Sequence, residues 1–330
     1  MTLILLTGLV ACSGDEPRPA ASASDAPTAS APPVDVRAVS APAATDVAGR
    51  VEHRFDFGEA DFLALEAGSV WLKRASGSVE RIDPATNAVT TIKIEDVDTR
   101  PCDGLGAGEG TVRSCIGEGG LARIDPGTNA VVATVHVGKD ADEVTIPVGF
   151  GHAWALSDGG TSLVGVDLAD NAVGVRIPFD GPCADLGLGA GAVWVACFTA
   201  GEVLRVDPAK QEVTARVGGL RGVRAVAVSE AVYAGFDGGI ARIDPATAQV
   251  TSAVDVPAGA FGAGMRATAE AVWVRVPNTF LQRLDPTTLD VVEVLTAPER
   301  SGGSVIVGFG SVWASALDDA VLYRIRDAKP

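Results

Sequence analysis

Gly68-Ser69-Val70-Trp71, followed after a short interval by Arg81-Ile82-Asp83-Pro84-Ala85-Thr86-Asn87, is a phrase that this chain repeats. It returns as Gly110-Thr111-Val112-Arg113 with Arg123-Ile124-Asp125-Pro126, and as Gly151-His152-Ala153-Trp154 with Gly165-Val166-Asp167-Leu168. Gly191-Ala192-Val193-Trp194 with Arg205-Val206-Asp207-Pro208 comes next, then Glu230-Ala231-Val232-Tyr233 with Arg242-Ile243-Asp244-Pro245. The last two are Glu270-Ala271-Val272-Trp273 with Arg283-Leu284-Asp285-Pro286, and Gly310-Ser311-Val312-Trp313 with Arg324-Ile325-Arg326. The fourth position of the opening phrase falls at 71, 113, 154, 194, 233, 273 and 313, at intervals of 42, 41, 40, 39, 40 and 40 residues. All five tryptophans of the chain occupy this slot, and Arg113 and Tyr233 replace them in the other two repeats.

A period near 40 suits four short strands with their turns, one blade of a β-propeller; kelch repeats run nearer 50. Each repeat opens on small residues such as Leu186-Gly187-Leu188-Gly189, as innermost strands crowding an axis require. The aromatic strand follows, then alternating strands such as Val203-Leu204-Arg205-Val206-Asp207 and Val131-Val132-Ala133-Thr134-Val135-His136-Val137. Asp-Pro supplies the turn between third and fourth strands, and Asp158-Gly159 and Asp237-Gly238 mark tight hairpins between second and third. Seven repeats fill residues 48–330, so the expected fold is all-β: a seven-bladed propeller of four-stranded blades. The seventh repeat ends before a fourth strand, whereas residues 50–57, RVEHRFDF, precede the first repeat where a fourth strand belongs. Pairing them beside residues 322–326 closes the last blade with an N-terminal strand and removes exposed edges. Deleting residues 48–57 is therefore expected to abolish soluble folding.

The net charge of −16, with 47% hydrophobic and 21% charged residues, is too apolar for a disordered acidic chain and of the wrong sign for a nucleic-acid binder. The one long apolar run, residues 3–10, is too short to span a bilayer as a helix. Residues 1–12, MTLILLTGLVAC, resemble a bacterial lipoprotein signal ending in its lipobox. That resemblance implies cleavage before Cys12 and acylation of its thiol and new amino group, leaving the chain tethered to the envelope by lipid alone. No Lys or Arg precedes the apolar run, unlike the usual secretory signal. Residues 13–47 are Ala-, Ser- and Pro-rich and read as a disordered tether.

Of five cysteines, four remain beyond the lipobox. Cys102 and Cys115 straddle the first hairpin of the second repeat, and Cys183 and Cys197 straddle that of the fourth. Two pairs across equivalent turns predict disulfides Cys102–Cys115 and Cys183–Cys197 and an oxidising compartment.

Loops joining the fourth strand of one blade to the first of the next share a face with those between second and third strands. The loops before blades two and three are acidic, with Glu95, Asp96, Asp98, Asp103, Asp140, Asp142 and Glu143; those before blades five to seven carry Arg221, Arg224, Arg266 and Arg300. Asp98, Arg100, Asp103, Asp140, Asp142, Asp185, Arg221, Arg224 and Arg300 form the candidate binding face; a solvated acidic surface is the competing reading. The Arg and Asp of each Arg-Ile-Asp phrase share a strand face, which suits a structural ion pair or a turn cap. His53 and His136 fall on outer strands and His152 at a turn on the opposite face, so no nucleophile, base and orienter assemble.

The phrase best preserved at residues 123–135, Arg-Ile-Asp-Pro-Gly-Thr-Asn-Ala-Val-Val-Ala-Thr-Val, resembles the YVTN-type (YncE-like) propeller repeats of secreted bacterial proteins, and is similar to those of the streptogramin lyase superfamily. The resemblance covers residues 50–330. The lyases use a metal with histidine and glutamate at the propeller centre, but the last four repeats here contain no histidine. Gluconolactonase-type propellers use acidic metal ligands, which Asp98, Asp103 and Asp185 could imitate. The expectation is a monomeric, non-enzymatic module without a cofactor, exported and lipid-anchored, that binds a protein or cell-envelope component. The alternative is a metal-dependent lyase or lactonase.

Overall fold

A computed structural model describes residues 32–94, 102, 104–117, 119–139, 145–256, 264–276 and 279–327. These form seven sheets, each with four antiparallel strands in propeller order. In blade one they are Ala60–Glu66, Ser69–Arg74, Val79–Ile82 and Val89–Ile92, from the axis outward. A single 3-10 turn, Val47–Gly49, stands among the strands as a described helical element.

The repeated phrase is explained by register. Trp71 lies opposite Ala64 on the first strand and Arg81 on the third; Trp194 lies opposite Gly187 and Arg205 in the same way. The aromatic is thus flanked by a small residue on one side and a guanidinium on the other. The Arg81 and Arg324 guanidinium carbons each sit 5.1 Å from the centroids of the Trp71 and Trp313 rings. Every tryptophan is buried, and each packs on the following blade: Trp71 on Val112, Ala122 and Ile124, Trp194 on Val232, Ala234 and Ile243, and Trp313 on Val70, Leu72 and Ile82. The core is therefore distributed among the junctions between blades, as in repeat proteins whose units contact only their neighbours.

The polar letters of the phrase serve turns and junctions. Asp83, Asp125, Asp207, Asp244 and Asp285 each accept backbone N–H groups from residues two or three further on, capping the turn to the fourth strand. Arg81, Arg123 and Arg242 reach past these aspartates to backbone carbonyls of the next blade. Arg81 Nη1 donates to the Pro126 carbonyl at 2.6 Å and Asn129 Oδ1 at 2.7 Å, and Arg324 Nη1 donates to the Pro84 carbonyl and to Asn87 Oδ1, each reaching the corresponding turn of the next blade. The turn-cap reading holds for the aspartate and the ion-pair reading gives way to a staple between blades. The opening glycine is required by the hairpin before the aromatic strand: Ala67-Gly68, Glu109-Gly110, Phe150-Gly151, Ala190-Gly191 and Phe309-Gly310 have positive φ at both positions, the signature of a type I′ turn.

Val321–Arg326 pairs antiparallel with Val51–Asp56, which supplies the fourth strand of the seventh sheet, with Phe55 opposite Leu322 and Asp56 opposite Val321. Upstream of it, residues 32–47 lie against the propeller although their composition reads as tether. Arg37–Ala38 adds in parallel to Gln249–Asp255 and Thr45–Asp46 to Val291–Thr296, giving the fifth and sixth sheets a fifth strand. Val34, Val36, Val39 and the fully buried Val47, spaced among the small residues, dock this strap onto three successive junctions. The strap meets the fold at Gly219, where a Cβ would lie 2.4 Å from the Pro32 carbonyl oxygen, so only glycine fits.

Candidate binding face and channel mouth

The two disulfides are formed as expected: Cys102 to Cys115 and Cys183 to Cys197. Each ties the segment entering an innermost strand to the end of the neighbouring strand, and so stiffens the loop face at blades two and four. Disulfides of this kind belong in an oxidising compartment outside the cytoplasm.

Of the predicted face, Asp98, Arg100, Asp103, Asp140 and Asp142 lie outside the described residues, as does Cys12. The basic side is described. Arg221 is almost wholly exposed and its Nε lies 3.4 Å from Asp237 Oδ2, on the hairpin of the same blade. Arg224 stacks its guanidinium 4.3 Å above the Phe198 ring of the preceding blade. The backbone N–H groups of Arg300 and Ser301 donate to Asp319 Oδ2 at 2.9 and 3.0 Å, and these bonds hold the Asp319 carboxyl below its ordinary range. Arg221 thus faces an acidic hairpin residue of its own blade and the backbone at Arg300 is pinned by another, while Arg224 rests on an aromatic ring of the preceding blade.

Asp185 is not on a loop. It begins the innermost strand Asp185–Gly189, is 1% exposed, and lines the channel mouth. Its Oδ1 accepts the Thr145 hydroxyl at 2.8 Å and its Oδ2 the Val226 N–H at 2.8 Å, so one carboxyl joins blades three, four and five. Burial pushes its pKa up to about 7 against the opposing pull of those hydrogen bonds and of Arg266. Arg266, which sequence placed in a loop, instead stands in the innermost strand Met265–Ala267. It lies opposite Trp273, where other blades have Ala64, Gly106, Gly187 or Ala227. It is exposed, but into the channel, and the surrounding blades lower its pKa by desolvation while Asp185 raises it.

A third buried network was not foreseen. Arg275, 3% exposed, donates to the Ser301 carbonyl at 2.7 Å and to that of Phe280, and lies over the Phe280 ring. Burial lowers its pKa to about 10. Across the junction to blade one, Asp61 Oδ1 accepts from Ser304 and Ser315 at 2.8 and 3.1 Å, with its pKa raised by burial. The only sequence signal was Arg275 within an otherwise apolar Val-Trp-Val-Arg-Val strand. Among the described residues no three His, Cys, Asp or Glu side chains converge as a metal site.

The channel mouth is a cavity of about 250 Å³ lined by the innermost strands of all seven blades. Among its described lining residues only Asp185 and Arg266 carry charge, and Thr145 and Ser304 add hydroxyls.

No protein-family profile matches the chain, and no curated protein matches it either. Solved structures do. The chain is similar to the WD40 domain of Pan2 from Neurospora crassa, with 10% identity and a TM-score of 0.66 over 83% of this chain and 90% of that one. It is similar to the WD40 propeller domain of Doa1, with 11% identity and a TM-score of 0.71 over 85% and 97%. It is also similar to BamB from Moraxella catarrhalis, with 9% identity and a TM-score of 0.56 over 81% and 84%. At such identities the likeness is one of fold: the chain is a seven-bladed β-propeller.

Proposed function

We propose that this chain is an exported propeller, lipid-anchored through Cys12, that binds a protein or cell-envelope component through its loop face. The observation that carries the reading is how the described part of that face is held. Both disulfides close on it, Arg221 is set by Asp237, Arg224 by Phe198, and the loop at Arg300 by Asp319. Loops fixed before encounter lose less entropy on binding, so more of the contact energy appears as affinity. Alternating Arg and Asp on that rim give a partner polar, oriented contacts and steer its approach.

A photoreactive residue at Arg221, compared with one at the exposed Val292 on the fourth strand of blade six, tests this in intact envelopes. Cross-linking to a single species from position 221, absent from 292 and weakened by Arg224→Ala, is the expected result. Equal labelling from both positions, or none from 221, overturns it. Cys12→Ser separately tests the anchor: the variant should leave the membrane fraction. The lyase or lactonase alternative predicts stabilisation by a specific divalent cation, since a ligand at a hundred times its dissociation constant adds about 2.7 kcal/mol. Thermal unfolding with EDTA and then calcium, magnesium or zinc reads that effect directly.

A further inference from the structure

We propose that the channel mouth is a binding site for a small organic monocarboxylate, held by the Arg266 guanidinium, with the buried Asp185 carboxyl beside it as the gate.

Three features of the site lead there. First, Arg266 is a guanidinium with no hydrogen bond or ion pair to any described residue, whereas the repeat arginines Arg81 and Arg324 are tied to neighbouring turns. A planar fork of donors exposed into the channel mouth matches a carboxylate in two parallel bonds. Second, the charge available is small. With Asp185 ionised the pair is neutral, and with Asp185 protonated it carries a single positive charge; a monoanion completes that charge, whereas a dianion such as sulfate leaves one in excess. Third, about 250 Å³ lies just below the roughly 300–1,000 Å³ of ordinary small-molecule pockets, room for a short-chain carboxylate and little more.

The gate follows from the surroundings of Asp185. The groups that face it are the Thr145 hydroxyl from blade three, the Val226 N–H from blade five and the Arg266 charge from blade six. The described lining residues of blades one, two and seven contribute no titratable group. An ionised Asp185 competes with an incoming carboxylate for Arg266 and repels it; a protonated one does neither. Binding therefore strengthens as pH falls through the Asp185 titration, and by linkage the bound carboxylate raises the pKa of Asp185 further.

Isothermal titration with propionate, at constant ionic strength in carboxylate-free buffer, at about pH 6 and about pH 8.5, tests the site. If only the protonated form binds, the apparent dissociation constant weakens by up to about 30-fold at the higher pH, given a pKa of about 7. Propionamide, uncharged and of the same shape, should not bind, and sulfate should bind more weakly than propionate. Arg266→Gln, which breaks no hydrogen bond in the fold, should lose propionate at both pH values. Asp185→Asn should bind propionate equally well at both, and Arg266→Lys should bind it more weakly while keeping the pH dependence. Melting curves of each variant confirm that it is folded. The proposal is overturned if wild type ignores propionate at both pH values, if its affinity changes less than threefold between them, or if folded Arg266→Gln binds as wild type does.

Discussion

The repeated slot shows at the level of single residues what the sequence could and could not say. Trp71, Trp154, Trp194 and Trp313 each donate their indole N–H to the carbonyl five residues earlier, at 3.0 to 3.3 Å, so ring and polar atom are both satisfied. Arg113 fills the same slot without such completeness. It is fully buried, its Nη1 bonds Asn171 Oδ1, its Nε and Nη2 have no hydrogen-bond partner, and burial together with the nearby Arg123 charge lowers its pKa to about 10. Burying a charge without full compensation costs more than an apolar side chain of similar volume, which needs no such compensation. Arg113→Met is therefore expected to stabilise the protein by about 1–3 kcal/mol, read as a higher urea midpoint at unchanged slope. The tryptophan period was legible because burial of a large ring at each junction fixes residue type and spacing together. Arg266 was not legible, because the register that turns it into the channel depends on pairing with Trp273, and its local sequence, Gly-Met-Arg-Ala, reads equally well as loop.

At the scale of elements, the strands announced themselves through alternation and turn chemistry, and the strap did not. Residues 32–47 carry one buried valine and three partly buried ones among alanine, serine and proline, too little apolar area to form structure alone. They are ordered by the sheet edges of blades five and six, a tertiary effect that composition cannot report. Two truncations separate this strap from the strand that follows it. Beginning the chain at residue 48 removes Val47 and the fifth strands; burial of one valine is worth about 1.5–3 kcal/mol, so a folded protein about 2–4 kcal/mol less stable is expected. Beginning at residue 58 also removes Val51–Asp56 and bares the edge of Val321–Arg326, and soluble expression should be lost. Thermal unfolding and size-exclusion chromatography of the two chains distinguish these outcomes. Equal melting of the second chain and the parent would show that the seventh blade does not need its N-terminal strand.

For the whole molecule, the same carboxylates that shape the fold set its response to pH, and they divide into two groups of opposite sign. The turn-capping aspartates Asp83, Asp125, Asp207, Asp244 and Asp285 have pKa values lowered chiefly by backbone N–H groups. Their contribution is present above the unfolded pKa of about 3.9 and is lost as pH falls through their lower folded values. Asp185, with a folded pKa of about 7, acts in the other direction. Between about pH 4 and 7 the folded chain keeps this proton while the unfolded chain has released it, so stability declines as pH rises across that window. Because Asp185 is fully buried the decline is on the order of 2–4 kcal/mol, and Asp61, also raised by burial, adds to it. Stability should thus peak near pH 4 to 5, at the junction of the two windows. Asp185→Asn keeps an acceptor for the Val226 N–H and an amide that can donate to Thr145, so it should flatten the flank between pH 4 and 7. The acid flank, owned by the turns, should stay where it is. A series of chemical denaturation curves from pH 3 to 8.5 on both proteins measures this. Parallel profiles, with the variant offset by a constant, would mean that Asp185 titrates alike in the folded and unfolded chains and already carries its negative charge at the channel mouth across the neutral range.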